Sequence, residues 1–341
     1  LEAKFTFYNI EKCGYYTFGS TDPIFSGVTD VFAKLALWGA DGRELENTTT
    51  YEHDRDNEIM RTFYVDSATC PVTNDIFLTL WNEVENDNGK IYGMAPNKKP
   101  GNTEILETGF DGLAIPGFPS YFWFSPENNV FASIKFDHST SGKKNLELYM
   151  NGFLSNKSPY RVFNEEDVVI GYSQDGKYAK GCDKNHPRFL AKKRKNNKLE
   201  AELLANLSNI RKFVKKESLL YSTPDDRQLI ERVFSRLLDN PPAFSKSKDI
   251  MHEVAFEPSA GQLKKIISNF YDNEDETLKN AGFIYNTGKR VMLKGINVSF
   301  KFNLDVTKFE AHVINVEALL KAVRLSRVEL LAEMENPIST Q

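Results

Sequence analysis

The stretch that decides the fold is Ile115–Phe136, IPGFPSYFWFSPENNVFASIKF. Its two runs, Tyr121-Phe-Trp-Phe124 and Val130-Phe-Ala-Ser-Ile-Lys-Phe136, flank Ser125-Pro-Glu-Asn-Asn129. Aromatic and β-branched side chains suit a pleated surface, and Pro and Asn suit a turn, so the segment predicts a β-hairpin. With a side-chain period of two, Val130, Ala132, Ile134 and Phe136 share one face while Ser133 and Lys135 take the other. So much apolar surface in so few residues places the hairpin in the middle of a sheet. The expected class is α+β: a strand-rich N-terminal domain around this hairpin, then a mixed α/β basic domain ending in a long C-terminal helix.

Towards the N-terminus, Lys4–Ile10 and Tyr15–Phe18 lie either side of Cys13-Gly14 and read as an opening hairpin. Val28–Trp38 reads as a helix stopped by Gly39. Arg61–Val65 and Ile76–Val84 read as strands. In the second, Ile76, Leu78 and Leu80 alternate with Phe77, Thr79 and Trp81, so it is expected to be central and covered on both faces. Asn86–Gly89 reads as a turn and Asn97–Gly112 as a loop. Leu146–Leu154 is a short amphipathic helix lying against the sheet, and Ser155–Pro159 closes a first domain of residues 1–160.

Residues 161–341 form the second expected domain. Val168–Tyr172 reads as a strand and Ser173–Pro187 as a loop. Phe189-Leu-Ala191 and Leu199-Glu-Ala201 bracket Lys192-Lys-Arg-Lys-Asn-Asn-Lys198, where Asn196-Asn197 makes a turn and puts the charges on a projecting hairpin tip. Leu203, Leu204, Leu207, Ile210 and Val214 mark a helical stripe ending in Arg211, Lys212, Lys215 and Lys216. Thr223-Pro-Asp-Asp226 starts another helix, with a Thr cap, Pro in the first turn and acids at the positive end of the dipole. Ile250–Phe256 reads as a strand, Ser259–Phe270 as a helix, and Phe283–Tyr285 with Val291–Phe302 as a hairpin across Asn286-Thr-Gly288. Asn315–Met334 spaces its apolar residues as a broad helical stripe, expected to pack on its own domain, with a dimer seam as the alternative.

A chain of 341 residues with 40% apolar and 12% aromatic content supports two cored domains. Nothing approaches the roughly 18 to 20 apolar residues of a spanning helix, so no membrane insertion is expected. The opening LEAKFTFYNI lacks a signal-peptide layout. Three widely spaced cysteines suit a reducing compartment, which predicts a cytoplasmic protein. The net charge of −4 hides an asymmetry: residues 1–160 hold 13 Lys/Arg against 22 Asp/Glu, and residues 161–341 hold 30 against 25. Within Lys177–Lys216 the balance is 13 basic to 3 acidic, which points to a polyanionic partner.

Other chemistry finds less support. Cys182-x3-His186 supplies two soft ligands where a four-coordinate metal needs two more. Glu52, Asp54, Asp56 and Glu58 lack the glycine turn and terminal bidentate acid of a calcium loop. Asp137-His138-Ser139 is contiguous, whereas triad members meet through the fold. Gly288-Lys289 lacks P-loop spacing. Glu2-x-Lys4 and Asp175-x-Lys177 match the acid-to-lysine spacing of some nucleases but fall at a chain end and in a turn. No catalytic residue, metal ligand or cofactor is assigned.

The basic residues remain: Lys192, Lys193, Arg194, Lys195 and Lys198 at one tip, then Arg211, Lys212, Lys215 and Lys216 one helix later. Lys264, Lys265, Lys289, Arg290 and Lys294 extend the set. Cations that neutralise several phosphates release counterions and give sequence-independent affinity. With no helix-turn-helix or finger evident, backbone contacts should dominate. The competing reading of the same residues is a solvated charge run.

Gly117-Phe-Pro-Ser-Tyr-Phe-Trp-Phe124, Asn129-Val-Phe-Ala-Ser-Ile-Lys-Phe136 and Leu146-Glu-Leu-Tyr-Met-Asn-Gly-Phe-Leu154 together resemble the RexA-type phage-exclusion proteins of lambdoid prophages. The downstream order is similar too: Lys198-Leu-Glu-Ala201, then Val254-Ala-Phe-Glu-Pro258 before a Lys-bearing helix, then a long C-terminal helix. The close match covers about 40 residues. The resemblance implies a two-domain, homodimeric, non-enzymatic protein that binds double-stranded DNA with little sequence preference. It also implies a sensor in antiphage defence by abortive infection, signalling to a membrane ion-channel partner. The N-terminal 110 residues are longer and more acidic than that pattern. Two other classes stay open: an effector nuclease or toxin with an unrecognised site, and a protein-interaction module using the acidic N-terminal half.

Overall fold

The computed structural model describes residues 1–54, 59–84, 92–101, 105–106, 114–136, 142–220, 247–272, 278–293, 297–306 and 313–335. The turn at Asn86–Gly89, the helix after Thr223, Asp137-His138-Ser139, Asp56, Glu58 and Lys294 lie outside the described residues. The chain is α+β and forms two compact units, Leu1–Arg194 with Val298–Ile338, and Lys195–Asn297. The sequence placed a single boundary near residue 160. The packing instead divides the chain after Arg194 and again after Asn297, so the second unit is an insertion in the first.

The first unit contains β1 (Glu2–Tyr16), α1 (Val28–Gly39), β2 (Thr62–Thr69), β3 (Ile76–Glu83), β4 (Tyr92–Met94), β5 (Ile105–Leu106), β6 (Ile115–Ser125), β7 (Val130–Lys135), α2 (Lys143–Gly152), β8 (Arg161–Phe163), β9 (Val169–Tyr172) and β10 (His186–Lys193). The inserted unit contains α3 (Asn197–Ala205), β11 (Ile210–Leu220), β12 (Ser247–Ala255), α4 (Ala260–Asp272), β13 (Leu278–Tyr285) and β14 (Arg290–Met292). The chain then returns to the first unit with β15 (Ser299–Asn303) and α5 (Val316–Glu335). Among the described residues no helix is long and apolar enough to cross a membrane.

The hairpin forms as expected: β6 and β7 pair from Tyr121↔Ile134 to Ser125↔Val130. Their turn closes on Asn129 in the left-handed region, which Asn tolerates better than most residues. The main sheet runs β10-β1-β7-β6-β3-β2, with the hairpin at its centre. Alternation along β6 then explains its aromatic run. Tyr121 and Trp123 enter one core with α5, and Phe122 and Phe124 enter the opposite core with α1 and α2. β3 is likewise buried on both faces.

Several elements differ from the sequence reading. The opening hairpin is one long strand, β1, because Gly14 continues the backbone at φ 132° where Cys13-Gly14 suggested a turn. Ser155–Pro159 is not a terminus: Tyr15 donates a hydrogen bond to the Leu154 carbonyl at 2.8 Å and its hydroxyl lies 2.6 Å from that of Ser158. The C-terminal helix packs on the first unit and not on the basic one, since Val316, Leu319, Val323 and Leu330 join the core of Phe5, Phe77 and Trp123. Val291–Phe302 also divides, with β14 staying in the inserted unit and β15 joining β1.

The insertion has a defined gateway. Along one edge of β1, β10 pairs with residues 8–16 and β15 with residues 2–6. Between them Arg194 donates its backbone N–H to Phe7, Phe7 donates to Val298 and Val298 donates to Arg194, at 2.8–3.0 Å. The outgoing and returning strands thus act as one interrupted strand.

The other edge of β10 is closed by α2. Asn151 accepts from the Phe189 N–H and donates to its carbonyl, both at 2.9 Å, and Glu147 accepts from the Ala191 N–H at 2.9 Å. These side chains occupy groups that would otherwise template a further strand. Asn151→Ala should cost roughly 1–3 kcal/mol by leaving Phe189 unpaired, read as a lower urea midpoint together with faster amide exchange at Phe189. Unchanged exchange there would refute the capping role.

The inserted unit is a four-stranded antiparallel sheet, β12-β11-β13-β14, packed through Phe213, Phe283 and Val291 onto α3 and α4. α4 starts with reciprocal bonds between Ser259 and Gln262, a capping box.

Candidate nucleic-acid interface

The structure splits the predicted basic set at the gateway. Lys192, Lys193 and Arg194 belong to the first unit; Lys195, Lys198, Arg211, Lys212, Lys215 and Lys216 belong to the insertion. The projecting hairpin tip does not form. Lys192 and Lys193 end β10, held in register by Asn9 and Tyr8 of β1. Lys198 sits in the first turn of α3, whose cap Asn196 accepts from the Lys198 N–H at 3.1 Å.

The second expected helix also changes type. Leu203 closes α3 inward, Asn206-Leu-Ser-Asn209 breaks the helix, and Ile210 opens β11. Arg211, Lys212, Lys215 and Lys216 therefore stand on the strand between β12 and β13, alternating faces instead of lining a helical stripe.

One face of β11 carries Lys212 and Lys216 around buried Val214. Glu253 accepts there from Lys212 at 3.2 Å and from Arg290 at 2.7 Å. The other face carries Lys215 beside Glu217, with His252 3.9 Å from the same carboxylate. Arg211 lies 3.5 Å from Glu257. Glu253 thus shares two cations, and exposed pairs of this kind hold their partners weakly. Lys195 lies over the Tyr271 ring at 4.3 Å, and Lys264 and Lys265 are exposed on α4.

Arg194 has another job. Its guanidinium donates to Asn9 at 3.1 Å and to Glu335, at the end of α5, at 2.7 Å, so it ties the gateway to the C-terminal helix. Lys192 and Lys193 point to opposite faces of the sheet.

Sequence reading missed a second basic group, on the same face as Lys193. Lys4 of β1 stands directly opposite Lys135 of β7 and Lys301 of β15, and all three are exposed. The next row along is Ser133, Thr6 and Ser299, with the Thr6 and Ser299 hydroxyls 3.1 Å apart. One row beyond that, Lys193 stands opposite Tyr8. Glu2 adjoins the lysine row and accepts from Lys301 at 2.7 Å. The residues come from three distant parts of the chain, and only the strand register unites them.

Alternative chemistries gain little. Among the described residues no three His, Cys, Asp or Glu side chains gather as a metal site. Cys13, Cys70 and Cys182 are free and buried. Burial pushes the Cys13 thiol up, while a hydrogen bond from Thr73 lowers that of Cys70. A cavity of about 470 Å³ beside the start of α1 is lined by Lys12 against Glu11, Asp22 and Asp30, an acidic surplus that does not suit a phosphate. The chain matches no family model, no curated protein and no solved structure.

Proposed function

We propose that this protein binds double-stranded DNA through the phosphate backbone, with little preference for base sequence. The observation carrying the reading is that all nine basic residues picked out from Lys192 to Lys216 are exposed or half-exposed, on or beside β10, α3 and β11. Such cations displace condensed counterions and hold phosphates without reading bases. Lys212 and Arg290 share Glu253, so the face they occupy keeps an excess of positive charge.

The cellular role we propose, a sensor in antiphage defence by abortive infection that signals to a membrane ion-channel partner, rests on the likeness to RexA-type phage-exclusion proteins. That likeness also supplies the homodimer. Leu325 and Val328, 72% and 82% exposed on α5, offer it an apolar contact.

The test is fluorescence anisotropy with random-sequence duplexes at low and moderate salt. The variant is Lys192→Glu/Lys198→Glu/Lys212→Glu/Lys215→Glu, with Arg194 kept because it anchors the gateway. Binding should weaken at least about tenfold in the variant, and in the wild type it should fall steeply with salt. No wild-type binding at low salt would overturn the proposal.

A further inference from the structure

Directly opposed residues of antiparallel strands share a face, and neighbouring strands lie about 4.8 Å apart. Lys135, Lys4 and Lys301 therefore form a straight row across three strands, spanning about 10 Å. Like charges set directly opposite one another destabilise a sheet. Glu2 adjoins the row and makes an exposed pair with Lys301.

We infer that this face of the first unit is a second contact surface for the DNA phosphate backbone, with Lys4, Lys135 and Lys301 as its phosphate-facing row and Lys193 at its edge. The inference rests on the DNA-binding reading and adds to it a location outside the residues that reading used, Lys193 apart. The shape favours a linear polyanion over a compact one. A single phosphate spans one or two ammonium groups, whereas a strand of phosphates engages the whole row. In the next row Thr6 and Ser299 add half-exposed hydroxyl groups beside it. Lys193 lies opposite Tyr8, four residues along β1 from Lys4, which extends the charged edge by about 13 Å. Nothing in the row selects a base, in keeping with backbone contact.

The experiment compares the full-length wild type with Lys4→Gln/Lys135→Gln/Lys301→Gln and a charge-matched control, Lys34→Gln/Lys99→Gln/Lys157→Gln. Anisotropy with a random duplex is followed between about 50 and 200 mM salt. Thermal unfolding checks that the row variant stays folded. The row variant should lose about one unit of log–log salt slope per lysine and on the order of 10²-fold in affinity. The control should keep the wild-type slope. If the wild type binds and the row variant keeps its slope, or both variants lose slope equally, this surface is refuted and the DNA reading stands. If the wild type fails to bind, both fall. If the row substitutions abolish retention on phosphatidylserine vesicles and leave duplex binding unchanged, the face belongs to a membrane and the inference is overturned.

Discussion

Arg327→Ala should destabilise the protein by roughly 3–5 kcal/mol, the range for removing one partner of a buried ion pair. Arg327 lies on α5 and clamps two turns of the main sheet. Its Nε donates to Asp75 at 2.7 Å, and its Nη2 reaches Asp75 and Ser125 at 3.3 Å and Glu127 at 3.0 Å. The hydrogen bond to Asp75 holds the guanidinium above its ordinary pKa. The Asp75 side chain is only 5% exposed, so truncating Arg327 strands a carboxylate that water cannot reach. Glu127 is 72% exposed and contributes little by comparison. Asp75→Ala/Arg327→Ala should recover part of the loss, because neither buried charge is then left alone. Urea unfolding of the two variants decides the matter. A loss below about 1 kcal/mol in the single variant, or no recovery in the double, would show that α5 docks by its apolar stripe alone.

That clamp belongs to the part of the fold that local sequence could not reveal. The hairpin, β3, α1 and α4 were legible because their signals are local: alternation, a flanking turn, a stopping Gly, a cap. α5 was legible as a helix but not as a partner of the first unit, since its apolar stripe says only that something covers it. Nor could the insertion be read, because it depends on β15 returning to β1 across the whole inserted unit. At β11 the periodicity misled. Leu203, Leu207, Ile210 and Val214 fit a helix, but Asn206, Ser208 and Asn209 stop it, and Phe213 and Val214 then suit a central strand. The candidate interface divides the same way. Lys192–Lys216 stood out by charge density along the chain, whereas Lys4, Lys135 and Lys301 are isolated lysines until the register aligns them.

The central hairpin gives the second large effect. Phe131→Ala should cost roughly 3–5 kcal/mol, the range for truncating a buried aromatic ring. Phe131 is fully buried, and its ring stacks on Tyr8 at 4.8 Å and on Phe124 at 5.0 Å, with Phe122 and Phe189 at 6.2 and 6.4 Å. Those partners come from β1, β6 and β10, so one ring joins the hairpin to the strand bearing Lys4 and to the strand bearing Lys192. Collapse around the missing ring is hindered because Tyr8 and Phe124 are each fixed by their own strand register. Phe18, 99% exposed, is the control: Phe18→Ala should stay within about 0.5 kcal/mol. The comparison is read by urea unfolding at constant slope. If Phe131→Ala cost no more than Phe18→Ala, the aromatic run would not be the centre of this core, and the register that aligns Lys4 with Lys135 would lose its physical basis.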